Sequence, residues 1–356
     1  MTRRDNNFDV LRLVAALLVM VSHSYVLAQL PIPGVANRHL EPFAHLTGDT
    51  LGAVGVSIFF GLSGFLIAGS WQTAPRLRTF FAKRALRLMP AVVVAGVVTA
   101  FVLGPIVTHA SLGAYFGDSD PYLYVLKSAT LAVHNMHLPL VFDINDLPYE
   151  VNGSLWTLPV EAGCYVLAAL LGAVMLLRRP RALLGLAALL ILITTPIVDA
   201  GHLLKELRGN AGITFDIVVL LRLVAQFVGG LALWSLRDRL PLRWWPLAGL
   251  AVVWAATWHT GWEAAAAIPL IGYGVLVLGH RTPRWIGVLT RRGDVSYGLY
   301  IYAFPVQQLV GQLWHPPAGL MTLEALPITY ALAFVSWRLV EAPALALKRR
   351  LPRLGT

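Results

Sequence analysis

The chain has 356 residues, 57% of them hydrophobic and only 13% charged, with a mean hydropathy of +0.67. A water-soluble domain carries about a quarter of its residues as Asp, Glu, Lys and Arg, so soluble, disordered and fibrous classes are excluded and the chain reads as an all-α integral membrane protein. The single cysteine, Cys164, offers neither an internal disulfide nor a thiolate metal site, and the net charge of +10 sits between the apolar runs rather than in a nucleic-acid-binding patch.

About twenty apolar residues cross the hydrocarbon core of a bilayer. On that rule the sequence predicts about ten transmembrane helices, near 8–30, 51–71, 88–108, 154–177, 182–199, 214–236, 244–260, 263–279, 294–314 and 322–342. A signal peptide would also place Arg3 and Arg4 before an apolar run, but Arg12 interrupts that run and nine further ones follow. The long connection of 111–153, within an extracytoplasmic loop of 109–153, holds an apolar stretch, Tyr122–Val133, too short to span and read as a surface or re-entrant helix. It carries the acids Asp118, Asp120, Asp143, Asp146 and Glu150. Lysine and arginine mark the cytoplasmic ends of spans. One set of ends holds 21 of them, from Arg3 and Arg4 to the basic tail of 343–356, and the other holds four, Arg38, Lys127, Lys205 and Arg208. Both termini are therefore expected in the cytoplasm, and 1–356 reads as a single membrane domain without internal repeats.

Ionisable residues inside spans are costly and mark functional positions by default. Arg12 and His23 are eleven residues apart, which puts them within about 20° of one face of the first helix and ~16 Å apart along it. His23 lies some seven residues before the outer end of its span and Glu161 about seven after the outer start of span four, so the two are expected at one depth. A neutral imidazole is a proton acceptor near pH 7, and a carboxylate on its other nitrogen would fix the tautomer. Structural alternatives stand beside each: Arg12 paired with Asp9 at i,i+3, His23 as an interhelical hydrogen-bonding residue, and Glu161 in an ion pair with Arg222. Arg84 and Arg87, three apart at the membrane surface, form a fork suited to phosphates, or else an ordinary cytoplasmic basic cluster. Leu62-Ser63-Gly64-Phe65 and Pro159 place small or helix-breaking residues in spans two and four.

Six segments carry a resemblance to a known family. They are Phe8–Ala16 leading to His23, Gly55–Leu66, Phe81–Pro90 with its paired arginines, Asn152–Glu161, Ser296–Pro305 and Trp337–Pro343. Together they resemble the acyltransferase-3 family of multi-pass membrane O-acyltransferases, in order and over nearly the whole chain. One departure is visible: many members have a histidine shortly before the proline of the ninth-helix motif, where this chain reads Tyr302-Ala303-Phe304-Pro305.

The resemblance implies transfer of an acyl group, acetyl above all, from acyl-CoA to a hydroxyl of a carbohydrate or glycosylated acceptor, such as a polysaccharide or a macrolide. It implies His23 as base with Glu161 orienting it or the acceptor, Arg84 and Arg87 on the coenzyme phosphates, and Arg12 lining the donor channel. Asn152, Ser154, Trp156, Tyr297 and Tyr302 are the expected acceptor or oxyanion contacts, and no metal is expected. Members acting on surface polysaccharide often carry an extra hydrolase-like domain absent here, which favours a smaller acceptor. The expected location is a bacterial cytoplasmic membrane, as a monomer or homo-oligomer. The rival reading is a transporter or flippase of lipid-linked sugars, in which the intramembrane charges line a path.

Overall fold

The computed structural model describes residues 6–28, 41–47, 49–73, 75–134, 136–193, 217–258, 260–291 and 293–350. Among these residues the regular structure is entirely helical. That follows from the apolar runs, because hydrocarbon supplies no partner for a backbone N–H or C=O and a helix satisfies both within one segment. The principal helices are α1 (Phe8–Leu27), α2 (Leu51–Thr73), α3 (Leu77–Val98), α4 (Asp120–Thr130), α5 (Thr157–Ala173), α6 (Pro180–Ile193), α7 (Ile217–Leu236), α8 (Trp244–Ala256), α9 (Glu263–Arg281), α10 (Ser296–Trp314) and α11 (Ala318–Ser336). Among the described residues, six stretches are long and apolar enough to cross a bilayer: α1, α2, Leu77–Val107, Val219–Leu236, α9 and Ala318–Ala346; α5, α6 and α8 are apolar but shorter. The far end of the expected span 182–199, the start of 214–236, and Arg38, Lys205 and Arg208 lie outside the described residues.

The apolar run expected at 294–314 forms α10, but every residue from Ser296 to Val306 is buried, and so are Gln307 and Gln308. Its modest hydropathy has a simple cause: it faces other helices, where amide and hydroxyl side chains find partners, instead of lipid. α10 packs against α1 and α11, while α2 packs against α1 and α7. The α2–α7 crossing is a backbone contact. A Cβ added to Gly64 would stand 2.0 Å from the Phe227 carbonyl oxygen, and one on Gly230 would stand 2.3 Å from that of Gly61. Small residues permit this approach in membrane bundles. Gly64→Ala must push the two backbones apart, and overpacking of this kind costs about 1–3 kcal/mol. The expected result is a lower midpoint in a thermal unfolding series in detergent; an unchanged midpoint would contradict the crossing.

α3 runs on through a π-helical turn at Thr99–Leu103 to Val107. The connection after it is a folded cap. α4 lies against α3, where Gly96 leaves room for the Ser128 hydroxyl, and Tyr115, Tyr124, Leu138, Phe142 and Val151 form a small core with Ala100 and Val107. Tyr115 donates to the Ala100 carbonyl at 2.7 Å, and His109 Nδ1 meets Asp143 at 2.7 Å. Two amides fasten the cap to α10: Asn145 donates to the Gln308 carbonyl at 2.8 Å, and Gln308 donates to the carbonyls of Leu147 and Glu150 at 2.9 and 2.7 Å.

In this cap, burial pushes the Glu150 carboxyl above its ordinary range, with His137 pulling weakly the other way. A carboxyl raised on folding stabilises the fold fully below its unfolded value of about 4.3 and loses that contribution as pH rises through the folded value. Glu150→Gln should therefore unfold at a higher temperature than the parent chain at pH 7, with the gap closing as pH falls towards 4. A variant less stable at pH 7 would contradict the assignment.

Candidate active site

The buried polar residues fall at two depths along α1 and α10. The first cluster gathers guanidiniums and carboxylates from five segments. Arg12 of α1 pairs with Asp9 at 2.9 Å and approaches Asp294 at 3.5 Å; Arg87 of α3 donates to the same Asp294 oxygen at 2.8 Å and lies 3.8 Å from Glu341. Asp294 is nearly fully buried, and its other oxygen accepts the Ser296 hydroxyl. Its place is set by Gly293, whose φ of 143° lies in the region that favours glycine. A Cβ there would also stand 2.0 Å from the Trp337 indole nitrogen. Glu341 ends a π-helical turn, Trp337–Glu341, and accepts from Ser336 at 3.4 Å.

Arg84 sits one turn before Arg87 and is spent differently. Its NH2 reaches the Ser70 hydroxyl of α2 at 3.3 Å, its guanidinium lies 5.9 Å from the Tyr165 ring and 6.0 Å from Phe80, and its buried Nε has no hydrogen-bond partner. The Tyr165 hydroxyl donates to Glu161 one turn earlier on α5. Glu161 stands in the field of Arg87, Arg84 and Arg12. Arg87 also lies over the Tyr297 ring at 5.6 Å, and the Tyr297 hydroxyl donates to the Leu88 carbonyl at 3.2 Å. Pro90 follows in the same turn and removes the N–H that would close on the Leu86 carbonyl.

The second level surrounds His23. Its ring meets Phe304 edge-on at 5.1 Å, and its Nδ1 is buried without a hydrogen-bond partner. On the same helix the Met20 carbonyl and the Ser24 hydroxyl accept from Gln307 at 2.7 and 2.6 Å, while Gln307 Oε1 is itself unpartnered. Phe304 also fills the space at Gly153, where a Cβ would stand 2.7 Å from its ring. The adjoining stretch runs inside the bundle: Asn152 donates to the Ile301 carbonyl at 2.9 Å, Ser154 N–H donates to Asn152 at 3.2 Å, and Tyr300 donates to the Ser154 carbonyl at 3.0 Å and shares a 2.7 Å bond with Thr157. The Ser154 hydroxyl is buried with no partner.

A family model described as an acyltransferase domain matches residues 5–340. The chain belongs to the acyltransferase-3 family. Similar proteins are an O-acetyl transferase of Shigella phage Sf6, 29% identical over 95% of this chain and 95% of its own length, and Nodulation protein 10 of Rhizobium leguminosarum bv. viciae, 32% identical over 97% of this chain and 95% of its own length. No solved structure matches. The acyltransferase-3 chain is thus an enzyme of O-acetyltransferase type. Among the described residues no group of three or more His, Cys, Asp or Glu side chains is placed to hold a metal ion.

Within the acyltransferase-3 motifs, the structure separates residues that spacing had put together. His23 Nδ1 does not bond Glu161, which accepts from Tyr165 instead. Asn152–Trp156 is tucked against α10, so α5 starts inside the bundle, and Glu161 falls near Tyr297 while His23 stands beside Phe304, seven residues or ~10 Å further along α10. Tyr297 joins the arginine level, and so does Tyr302, whose hydroxyl neighbours Ser336. Trp156 packs against the main core. Arg222 pairs with Asp49, not with Glu161. Arg12 takes the pairing with Asp9 and adds Asp294.

Asp294, Tyr165 and Gln307 were not singled out from sequence. Asp294 had a usable signal: it is the one acid between Glu263 and Glu324, and it comes shortly after Arg281, Arg284, Arg291 and Arg292. An isolated acid at the head of an apolar run, behind a basic loop, belongs with an arginine. Tyr165 and Gln307 had none, since hydroxyls and amides in spans are mostly interhelical contacts.

Proposed function

We propose that the chain transfers an acetyl group from acetyl-CoA to a hydroxyl of a sugar-containing acceptor in a bacterial cytoplasmic membrane, with about ten helices spanning the bilayer and both termini in the cytoplasm. The observation that carries the site assignment is the imidazole of His23, whose buried Nδ1 lacks a partner although Gln307, Ser24 and Met20 are fastened around it. A basic nitrogen kept dry and uncommitted is suited to take a proton from a bound hydroxyl.

In this mechanism the acceptor oxygen attacks the thioester carbonyl as His23 takes its proton. The C–O bond forms, the C–S bond breaks, and the imidazolium returns the proton to the departing CoA sulfur. The Ser154 hydroxyl, unpartnered in the stretch beyond Phe304, is the assigned oxyanion donor. Arg84 fits a phosphate of the donor, because its Nε is unspent. Arg87 does not fit as freely, since Asp294 and Glu341 already hold it. Glu161 and Tyr165 set the charge around Arg84 instead of orienting His23, and Asn152, Tyr297 and Tyr302 tie α10 to its neighbours around the site. Arg12 stands at the donor end.

Membership of an acyltransferase family gives no support to the transporter alternative. The test is direct: proteoliposomes that form an acetyl ester on a glycoside only when acetyl-CoA is supplied agree with transfer. Acceptor moved across the bilayer without acetyl-CoA, and recovered unmodified, would overturn it.

A further inference from the structure

A cavity of about 580 Å³ lies at the arginine-rich end of α2 and α5, lined by Trp71, Gln72 and Pro75 on one side and Gly172, Ala173, Met175, Leu177 and Arg178 on the other. Three observations bear on what it holds. Its surroundings are basic: 70–87 and 172–193 contain Arg76, Arg78, Lys83, Arg84, Arg87, Arg178, Arg179 and Arg181 and no Asp or Glu. Its walls combine an indole with a guanidinium and an amide. Trp71 is braced by Phe80 at 5.2 Å and by Gly172, where a Cβ would stand 2.3 Å from the indole. The cavity wall also adjoins, in sequence, the contacts of Arg84. Ser70, next to Trp71, holds the Arg84 NH2, and α5 rises from Gly172 through Tyr165 to Glu161 over eleven residues, ~16 Å.

We propose that this cavity binds the nucleotide end of the acyl donor, with Arg178 on a phosphate and the Trp71 edge against the base, so that the donor's flexible arm runs along the α2–α5 seam past Arg84. The inference rests on the reading of acyl-CoA as donor. A volume of this size lies within the range of small-molecule sites, about 300–1,000 Å³. A polyanion is also the ligand that best offsets the charge of a basic surface of this kind.

The experiment uses the full chain in detergent micelles and two substitutions at exposed wall positions, Arg178→Glu and Ala173→Trp. Adenosine 3′,5′-bisphosphate, the nucleotide fragment alone, should bind the parent chain and lose about tenfold or more in affinity in either variant by calorimetry. The parent chain should also prefer acetyl-CoA over S-acetylpantetheine in KM, and Arg178→Glu should lose that preference. Equal nucleotide binding by parent and variants overturns the site, and so does displacement of the nucleotide by phosphatidylglycerol, which would assign the cavity to a lipid headgroup. Failure of the parent chain to use acetyl-CoA while the fragment still binds Arg178-dependently would instead overturn the donor reading and leave a nucleotide site.

Discussion

Replacement of His23 by alanine is expected to abolish acyl transfer while the protein still folds and still binds CoA. The surroundings of His23 justify separating the two effects. Its ring makes an edge contact with Phe304 and its Nδ1 makes no hydrogen bond, so the fold loses little when it is removed. The segment of α1 around it is held independently by Gln307 on Met20 and Ser24, and by Thr322 donating to Ser24 at 2.7 Å. General-base catalysis contributes about 10²–10⁴-fold, so loss of at least a hundredfold in turnover is expected, with the thermal midpoint nearly unchanged. Full turnover in His23→Ala would end the base assignment.

The paired arginines should part company under mutation. Arg87→Ala would leave Asp294 and Glu341 buried beside no cation other than Arg12, and removing one partner of a buried ion pair costs about 3–5 kcal/mol. The expected result is a large fall in folded yield and midpoint. Arg84→Ala removes one bond to Ser70 and two ring contacts and leaves no buried carboxylate unpaired except through its field on Glu161. It should fold and raise KM for acetyl-CoA. The decisive comparison is midpoint against KM for the two variants; equal stability of both would contradict the division of labour drawn from the Asp294 contacts.

Much of the helical architecture is legible in the sequence because its rule is local. Where hydrocarbon must be crossed, twenty apolar residues announce it, and the runs at Phe8, Leu51 and Glu263 became α1, α2 and α9. The shared face of Arg12 and His23 was legible for the same reason, as helix period needs no tertiary information. Depth was harder. Counting from the outer end of span four assumed that the helix begins at the surface, whereas Asn152–Trp156 runs inward before α5 begins and carries Glu161 down to the arginines. α10 shows the converse, a polar-studded run that is helical because it is central. The partnership of Arg87 with Asp294, 207 residues apart, needed the fold itself. Motif spacing grouped Arg84 with Arg87, but the carboxylates that hold one and leave the other uncommitted come from the far end of the chain.

The central claim is tested most directly by free thiol released from acetyl-CoA by detergent-purified protein across a panel of glycoside acceptors, with His23→Ala measured alongside. The account predicts acceptor-dependent release by the parent chain and none above background by the variant. Equal acceptor-dependent release by both would contradict the role given to His23. No release with any acceptor, together with no CoA binding by calorimetry, would contradict acetyl-CoA as the donor.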